Sequence, residues 1–148
     1  MSTDDQVTKS NLGAIVDDEN DITTLFNDAL GLIDGITTFA FTDPIMALEH
    51  FRINKEKYVL VISDLRMEGL PGTELIKKLK KLNPSIRTIL MTAFAIEDDL
   101  FKEYAKKQLI NGFLQKPIRL DDLRAEVNHQ LHTYQLQKQG SIIKVKNG

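Results

Sequence analysis

Five polar side chains in this sequence are of the types, and fall at the intervals, that could assemble a site for a hard cation and an anion: Asp17, Asp18, Asp64, Thr92 and Lys116. Leu12-Gly-Ala-Ile-Val16 runs into Asp17-Asp18, Val59-Leu-Val-Ile62 into Ser63-Asp64, Ile86 to Met91 into Thr92, and Gly112-Phe-Leu-Gln115 into Lys116. Three carboxylates brought to one pocket repel, and at least one pKa rises unless a cation neutralises them. An all-oxygen donor set without His or Cys suits a hard ion, and Mg²⁺ typically takes one or two carboxylates plus waters. A hydroxyl and a single ammonium across from that ion are suited to holding a phosphoryl group. Each residue alone has an ordinary explanation: a solvated turn or cap for the acidic pair, an N-cap for Asp64, a strand-end hydroxyl for Thr92, a surface lysine for Lys116. All five at the ends of successive apolar runs form a pattern those explanations do not cover.

The elements that would position them alternate in type. Leu12–Val16 reads as a buried strand, and Ile22, Leu25, Phe26, Ala29 and Leu30 then share one face of a helix that Gly31 or Gly35 can stop. Ile36 to Phe41 is a second strand, and Asp43-Pro44 opens a helix to about Asn54 with a capping side chain followed by proline at the first position. Val59–Ile62 is apolar on both faces, as a central parallel strand should be. A helix from about Thr73 to Leu82 follows, ended by Asn83-Pro84. The strand Ile86–Met91, a helix near Asp98–Lys107 carrying Leu100, Phe101, Tyr104 and Ala105, and the short strand Gly112–Gln115 come next. The last helix starts near Leu120-Asp121 and places Leu123, Val127, Leu131 and Tyr134 at helical spacing. Five strands alternating with five helices imply an α/β domain, a doubly wound five-stranded parallel sheet covered on both faces. In such folds ligands bind beyond the carboxyl ends of the strands, where the polar residues lie.

The chain has 148 residues, 27% of them charged, with 19 Lys+Arg against 21 Asp+Glu, a length that suits one globular domain. A net charge of -2 gives no global attraction to nucleic acid or to an anionic membrane. The longest apolar run, Tyr58 to Ile62, is far short of the roughly 20 residues of a membrane helix. The N-terminus lacks a basic and apolar leader, and there is no cysteine for a disulfide, thiol nucleophile or thiolate site. A cytoplasmic protein without nucleic-acid or membrane partners is expected.

With the motifs Ile15-Val-Asp-Asp-Glu19, Val61-Ile-Ser-Asp-Leu-Arg-Met67, Leu90-Met-Thr-Ala93 and Gly112-Phe-Leu-Gln-Lys-Pro117, the sequence resembles the receiver domain of two-component response regulators, from about Leu12 to Gln130. The resemblance implies a flavodoxin-like sheet of strand order 2-1-3-4-5 in a receiver domain over 12–131, while the polar, aperiodic residues 1–11 read as a flexible leader and 132–148 as an extension of the last helix with a basic tail. It further implies that Asp64 accepts a phosphoryl group from a histidine kinase or histidine phosphotransfer protein. Mg²⁺ would be held by Asp18, Asp64 and the backbone carbonyl of Arg66, with Asp17 acting through a water. Lys116 would pair with one phosphoryl oxygen, through an inward aim set by a cis Lys116–Pro117 peptide, and Thr92 would donate to another. Thr92 and Phe113 would form the switch. The expected readout is a remodelled face of the fourth helix, fifth strand and fifth helix, presented to a downstream protein and also a candidate homodimer surface. Phe113 has no hydroxyl, so it can signal only by packing.

The sequence departs from the family pattern in the loop after Asp64, where Glu68 stands in place of the usual proline and Pro71 at a position often acidic. Lys77, Lys78, Lys80 and Lys81 read as a solvated helix face, and His129 and His132 as surface histidines. Gly140 is expected to stop the last helix, leaving Ser141–Lys146 as a strand-like segment that docks on a partner or frays. The leading expectation is a stand-alone phospho-acceptor that signals by phosphorylation-dependent contact or relays the phosphoryl group. The alternatives are a phosphorylation-independent interaction module and the receiver portion of a longer regulator. An aspartyl-phosphate hydrolase of the haloacid dehalogenase type would carry a second aspartate where Arg66 stands, and is rejected. Bulky Phe94, two residues beyond Thr92, is expected to hinder in-line water; Phe94→Ala should therefore speed loss of the phosphoryl group, and an unchanged decay rate would refute this.

Overall fold

The computed structural model describes residues 11–93 and 99–147, apart from the side chains at 100, 101 and 141–147. Phe94, the side chains of Leu100 and Phe101, and residues 1–10 of the expected leader lie outside that description. Elements run in the order β1 (Leu12–Val16), α1 (Asn20–Leu30), β2 (Thr37–Phe41), α2 (Pro44–Ile53), β3 (Tyr58–Asp64), α3 (Gly72–Leu82), β4 (Arg87–Thr92), α4 (Asp99–Lys106), β5 (Gly112–Gln115) and α5 (Leu120–Asn147).

All strand pairs are parallel, and the sheet order is β2-β1-β3-β4-β5. Every residue of β1 and β3 is buried, which is why these strands read as continuous apolar runs rather than alternating ones. One face of the sheet packs Val16 and Val61 against Leu48 and Phe51 of α2 and Leu75 and Leu79 of α3. The other packs Ile15, Ile62 and Ile89 against Phe26 and Leu30 of α1 and Leu123 and Val127 of α5. Each such side chain contributes roughly 1.5–3 kcal/mol on full burial. A smaller cluster of Ile76, Leu90 and Ile110, joined by Tyr104 and Phe113, closes the β4–β5 end.

The local signals behave as the residue chemistry dictates. Asp43 accepts a hydrogen bond from the Ile45 N–H at 2.9 Å and caps α2, with Pro44 at its first position. Gly31 closes α1, and Gly35, at φ 87°, makes the following turn.

Two expectations are corrected. Helix α5 runs unbroken through Gly140 to Asn147, so Ser141–Lys146 is helical rather than strand-like. Gly140 is not among the glycines of positive φ, and its cost of about 1 kcal/mol inside a helix is carried by the strong helix formers Gln135 to Gln139 before it.

The second correction is Lys80, which leaves the solvated row of α3 lysines. Its Nζ donates to the Ile86 carbonyl at 2.6 Å and to Asn111 Oδ1 at 2.9 Å. Asn111 Oδ1 also accepts from the Thr88 N–H at 3.0 Å, while the Thr88 hydroxyl donates to the Leu109 carbonyl at 2.6 Å and accepts from the Asn111 N–H at 3.2 Å. Burial, with the Arg87 charge adding to it, pulls the Lys80 amine down to about 8. In the unfolded chain it titrates near 10.5, so between these values the unfolded state binds more protons and stability rises with pH. Urea midpoints of the wild type should climb through this window, and Lys80→Met should remove that part of the climb.

Candidate functional site

The parallel sheet delivers the singled-out residues to one edge. β1 ends at Val16, and the Asp17 N–H bonds to the Phe41 carbonyl at 3.1 Å, which turns the Asp17 side chain into the interior. Asp17 is fully buried; its Oδ1 accepts from the Glu19 N–H at 3.0 Å and its Oδ2 from Lys116 Nζ at 3.1 Å. Asp64 is the last residue of β3 and is 8% exposed. Its Oδ1 lies 3.0 Å from Lys116 Nζ, and the exposed Glu19 is 3.9 Å from the same ammonium. Thr92 ends β4, buried, and its carbonyl accepts from the Lys116 N–H at 2.7 Å. The Lys116–Pro117 peptide is cis. Asp18 is exposed at the rim.

One ammonium is thus shared between two buried carboxylates. Burial favours the neutral acid at Asp64, and the neighbouring Asp17 charge adds to it. The Lys116 ammonium and the Leu65 N–H pull the other way without overcoming them, so the Asp64 carboxyl sits above the usual range. Burial alone would lower the Lys116 amine, but its hydrogen bonds and charge pairing with Asp64 and Asp17 carry it above its ordinary value. Lys116 gains from both acids, whereas each acid has only part of one cation.

A small cavity of about 120 Å³ is lined by Asp64, Leu65, Arg66, Thr92, Ala93 and Lys116. A larger cleft of about 500 Å³ beside it is bounded by Asp18, Arg66, Met67, Glu68 and Pro71. Carboxylate oxygens of Asp17, Asp18 and Asp64 come within 4.8 Å of one another. These three hard donors, with a net negative charge that Lys116 offsets only in part, fit a small divalent cation such as Mg²⁺. The structure therefore brings together Asp17, Asp18, Asp64, Thr92 and Lys116, with Arg66 lining both cavities.

Phe113 pairs with Leu90 across β4 and β5, on the face that Leu90 shares with Thr92 two residues on. It is half-buried against the Ile76–Leu90–Ile110 cluster, one step along the sheet from the Thr92 end. Gly72 is a residue the sequence reading passed over. Its N–H bonds to the Leu65 carbonyl at 2.8 Å, and a Cβ there would lie 2.0 Å from the Asp64 carbonyl oxygen, so no side chain fits without moving that backbone. Glu68 and Pro71 precede it in a loop that holds Gly69 at φ 89° and places Pro71 at the N-cap position of α3, without a side-chain capping bond. The signal available in the sequence was a glycine at the start of an otherwise apolar-periodic helix.

Because the Asp64 carboxyl titrates above its unfolded value, its ionised form destabilises the metal-free fold, and stability is gained as pH falls through the raised pKa. In chelator at neutral pH, Asp64→Asn should unfold at a higher urea concentration than wild type. The difference should shrink in acid, and Mg²⁺ should stabilise wild type more than the variant.

The sequence matches the response regulator receiver domain family over residues 14–128. It is 32% identical over 117 residues to sporulation initiation phosphotransferase F of Bacillus subtilis (strain 168), covering 79% of this chain and 90% of that protein. It is 33% identical over 125 residues to the DNA-binding transcriptional regulator NtrC of Escherichia coli (strain K12), covering 84% of this chain but 26% of that protein. A response regulator receiver domain protein from Clostridium thermocellum superposes with a TM-score of 0.75 at 24% identity, over 86% of this chain and 98% of that one, which shows the shared fold. The parallel sheet of order 2-1-3-4-5, the acidic edge joined by Lys116 and the match across most of the chain lead to one conclusion: this protein belongs to the receiver-domain family of two-component response regulators.

Proposed function

We propose that this receiver takes a phosphoryl group onto Asp64 from a phosphohistidine of a histidine kinase or phosphotransfer protein. The observation that carries the reading is the Asp64 carboxylate at the wall of a small cavity, with Lys116 Nζ 3.0 Å away and Thr92 beside it. In the transfer, an Asp64 carboxylate oxygen forms the new P–O bond as the P–N bond of the donor breaks, and the imidazole departs with the bonding pair.

Asp18, Asp64 and the Arg66 carbonyl would hold Mg²⁺, with Asp17 acting through a water. Bound there, the ion supplies positive charge to the acid cluster and to the phosphoryl oxygens. Lys116 exchanges its contact with the Asp64 carboxylate for one phosphoryl oxygen while keeping Asp17 as its anchor. The Thr92 hydroxyl donates to another phosphoryl oxygen. Its movement towards the phosphoryl group opens room beneath β4, and Phe113, on the same face, repacks into that room. The face of α4, β5 and α5 then changes its packing and with it its affinity for a downstream protein or a second copy.

A second feature supports a protein as the donor. An apolar groove of about 430 Å³ runs beside Lys116, lined by Ile22, Leu25, Phe26, Ala93, Pro117 and Ile118. Leu25 within it is 48% exposed. Such a groove suits the apolar face of a helix that presents a histidine to the acidic edge. No described helix is long and apolar enough to cross a membrane, and a cytoplasmic setting, where such donors act, accords with this proposal.

Incubation with phosphoramidate, whose P–N bond stands in for phosphohistidine, tests the chemistry by intact mass. One Mg²⁺-dependent phosphoryl adduct is expected on the wild type and none on Asp64→Asn. Absence of the adduct from both, with phosphohistidine donors also failing, would overturn the proposal in favour of a phosphorylation-independent interaction module.

A further inference from the structure

The apolar groove beside the acid cluster has a charged edge. Glu19 follows Asp18 and holds the N-cap position of α1, where its side chain makes no capping bond to that helix. Its own N–H is committed to Asp17 Oδ1 at 3.0 Å, so its backbone is fixed while the carboxylate, 67% exposed, stands in solvent. That carboxylate comes to 3.9 Å from Lys116 Nζ, too far for a hydrogen bond, whereas Asp17 and Asp64 hold the same ammonium at 3.1 and 3.0 Å. An exposed pair at that separation contributes little, so turning Glu19 towards another cation costs little. Among the described residues that line the groove with Ile22, Leu25 and Phe26, the charged ones are Glu19 and Lys116. Lys116 faces inward to the buried acids, which leaves the Glu19 carboxylate as the outward charge of the groove. Groove and small cavity share Ala93 and Lys116, so a molecule seated in the groove has Glu19 beside its approach to Asp64.

We propose that Glu19 is a specificity-determining residue for the phosphodonor, selecting a phosphohistidine flanked by a lysine or arginine over donors that bring only negative charge. The inference rests on the reading of Asp64 as phospho-acceptor and names the chemistry of the partner which that site takes. In the docked pair the apolar face of the donor covers the groove, and its cationic side chain meets the Glu19 carboxylate at the rim. The groove wall keeps water from one side of that pair, so it is screened less than two charges in open solvent. A small anionic donor meets the same carboxylate as a like charge, with no contact that offsets the repulsion. Glu19 makes no bond to the reacting atoms: cleavage of the P–N bond and formation of the P–O bond are left to Asp64, Lys116 and Thr92.

The test compares two small donors with an imidazole leaving group: phosphohistamine, which bears an ammonium tail, and phosphoimidazole, which does not. Rates of phosphoryl adduct formation on the intact chain are read by mass at saturating Mg²⁺, and the ratio of the two rates is taken for each variant. A ratio cancels any general change in folding or in metal affinity. Wild type should favour phosphohistamine over phosphoimidazole by roughly threefold more than Glu19→Gln does, the scale of one charge pair about 6 Å apart in water. Glu19→Lys should lower the ratio further. In about 1 M NaCl, where the Debye length is about 3 Å, the three ratios should converge, which loss of a merely structural contact would not produce. Equal ratios in wild type and Glu19→Gln at low salt would overturn the proposal, as would a difference that high salt leaves intact. Failure of the wild type to take a phosphoryl group from either donor is a separate result, and would overturn the reading of Asp64 together with this one.

Discussion

The interaction on which the rest of the structure turns is the shared ammonium of Lys116, held between the buried carboxylates of Asp17 and Asp64. Neither acid alone needs to be there for packing, and together they repel. A single cation cannot satisfy both, and the residual negative charge suits the site to a divalent ion. The fold supplies the rigid frame for this arrangement. Four parallel strands, β1, β3, β4 and β5, end side by side, so short polar extensions from each meet without any long loop having to be ordered.

That frame is held by ordinary forces. The central strand β3 is buried along its whole length, with helices α2 and α3 on one face and α1 and α5 on the other. The apolar burial of Ile15, Ile62, Leu75 and Leu123 offsets the cost of placing charge at the sheet edge. Gly72 adds a tighter constraint: α3 begins so close to the Asp64 backbone that its first residue can carry no side chain. The start of α3 and the loop after Asp64 are therefore a single packing unit.

What the sequence made legible was whatever depends on residues close along the chain. The five apolar runs, the Asp43-Pro44 cap and the polar residues at the strand ends are local patterns, and the parallel topology turns them into a common site. What escaped it depends on partners distant in sequence or on competition between weak preferences. Lys80 looks like its neighbours Lys78 and Lys81 until Asn111, which follows α4, supplies its acceptor. Gly140 resembles a helix stop, yet the helix-forming residues before it outweigh its cost. At Glu68 and Pro71 the loop returns to α3 through Gly69, at positive φ, and the bond from the Gly72 N–H to the Leu65 carbonyl, a pairing that the sequence does not display.

The length of α5 has a mechanical side. With 28 residues at about 1.5 Å rise each, its axis extends roughly 42 Å, and Leu123, Val127, Leu131 and Tyr134 seat its first half against the sheet. A tilt of roughly 10° about the seated half would carry a point about 20 Å further along the axis through roughly 3.5 Å, which is the scale of a packing rearrangement rather than of a side-chain rotation. Any shift in how β5 and α5 pack at one end of this helix is thereby delivered, enlarged, to whatever meets the other.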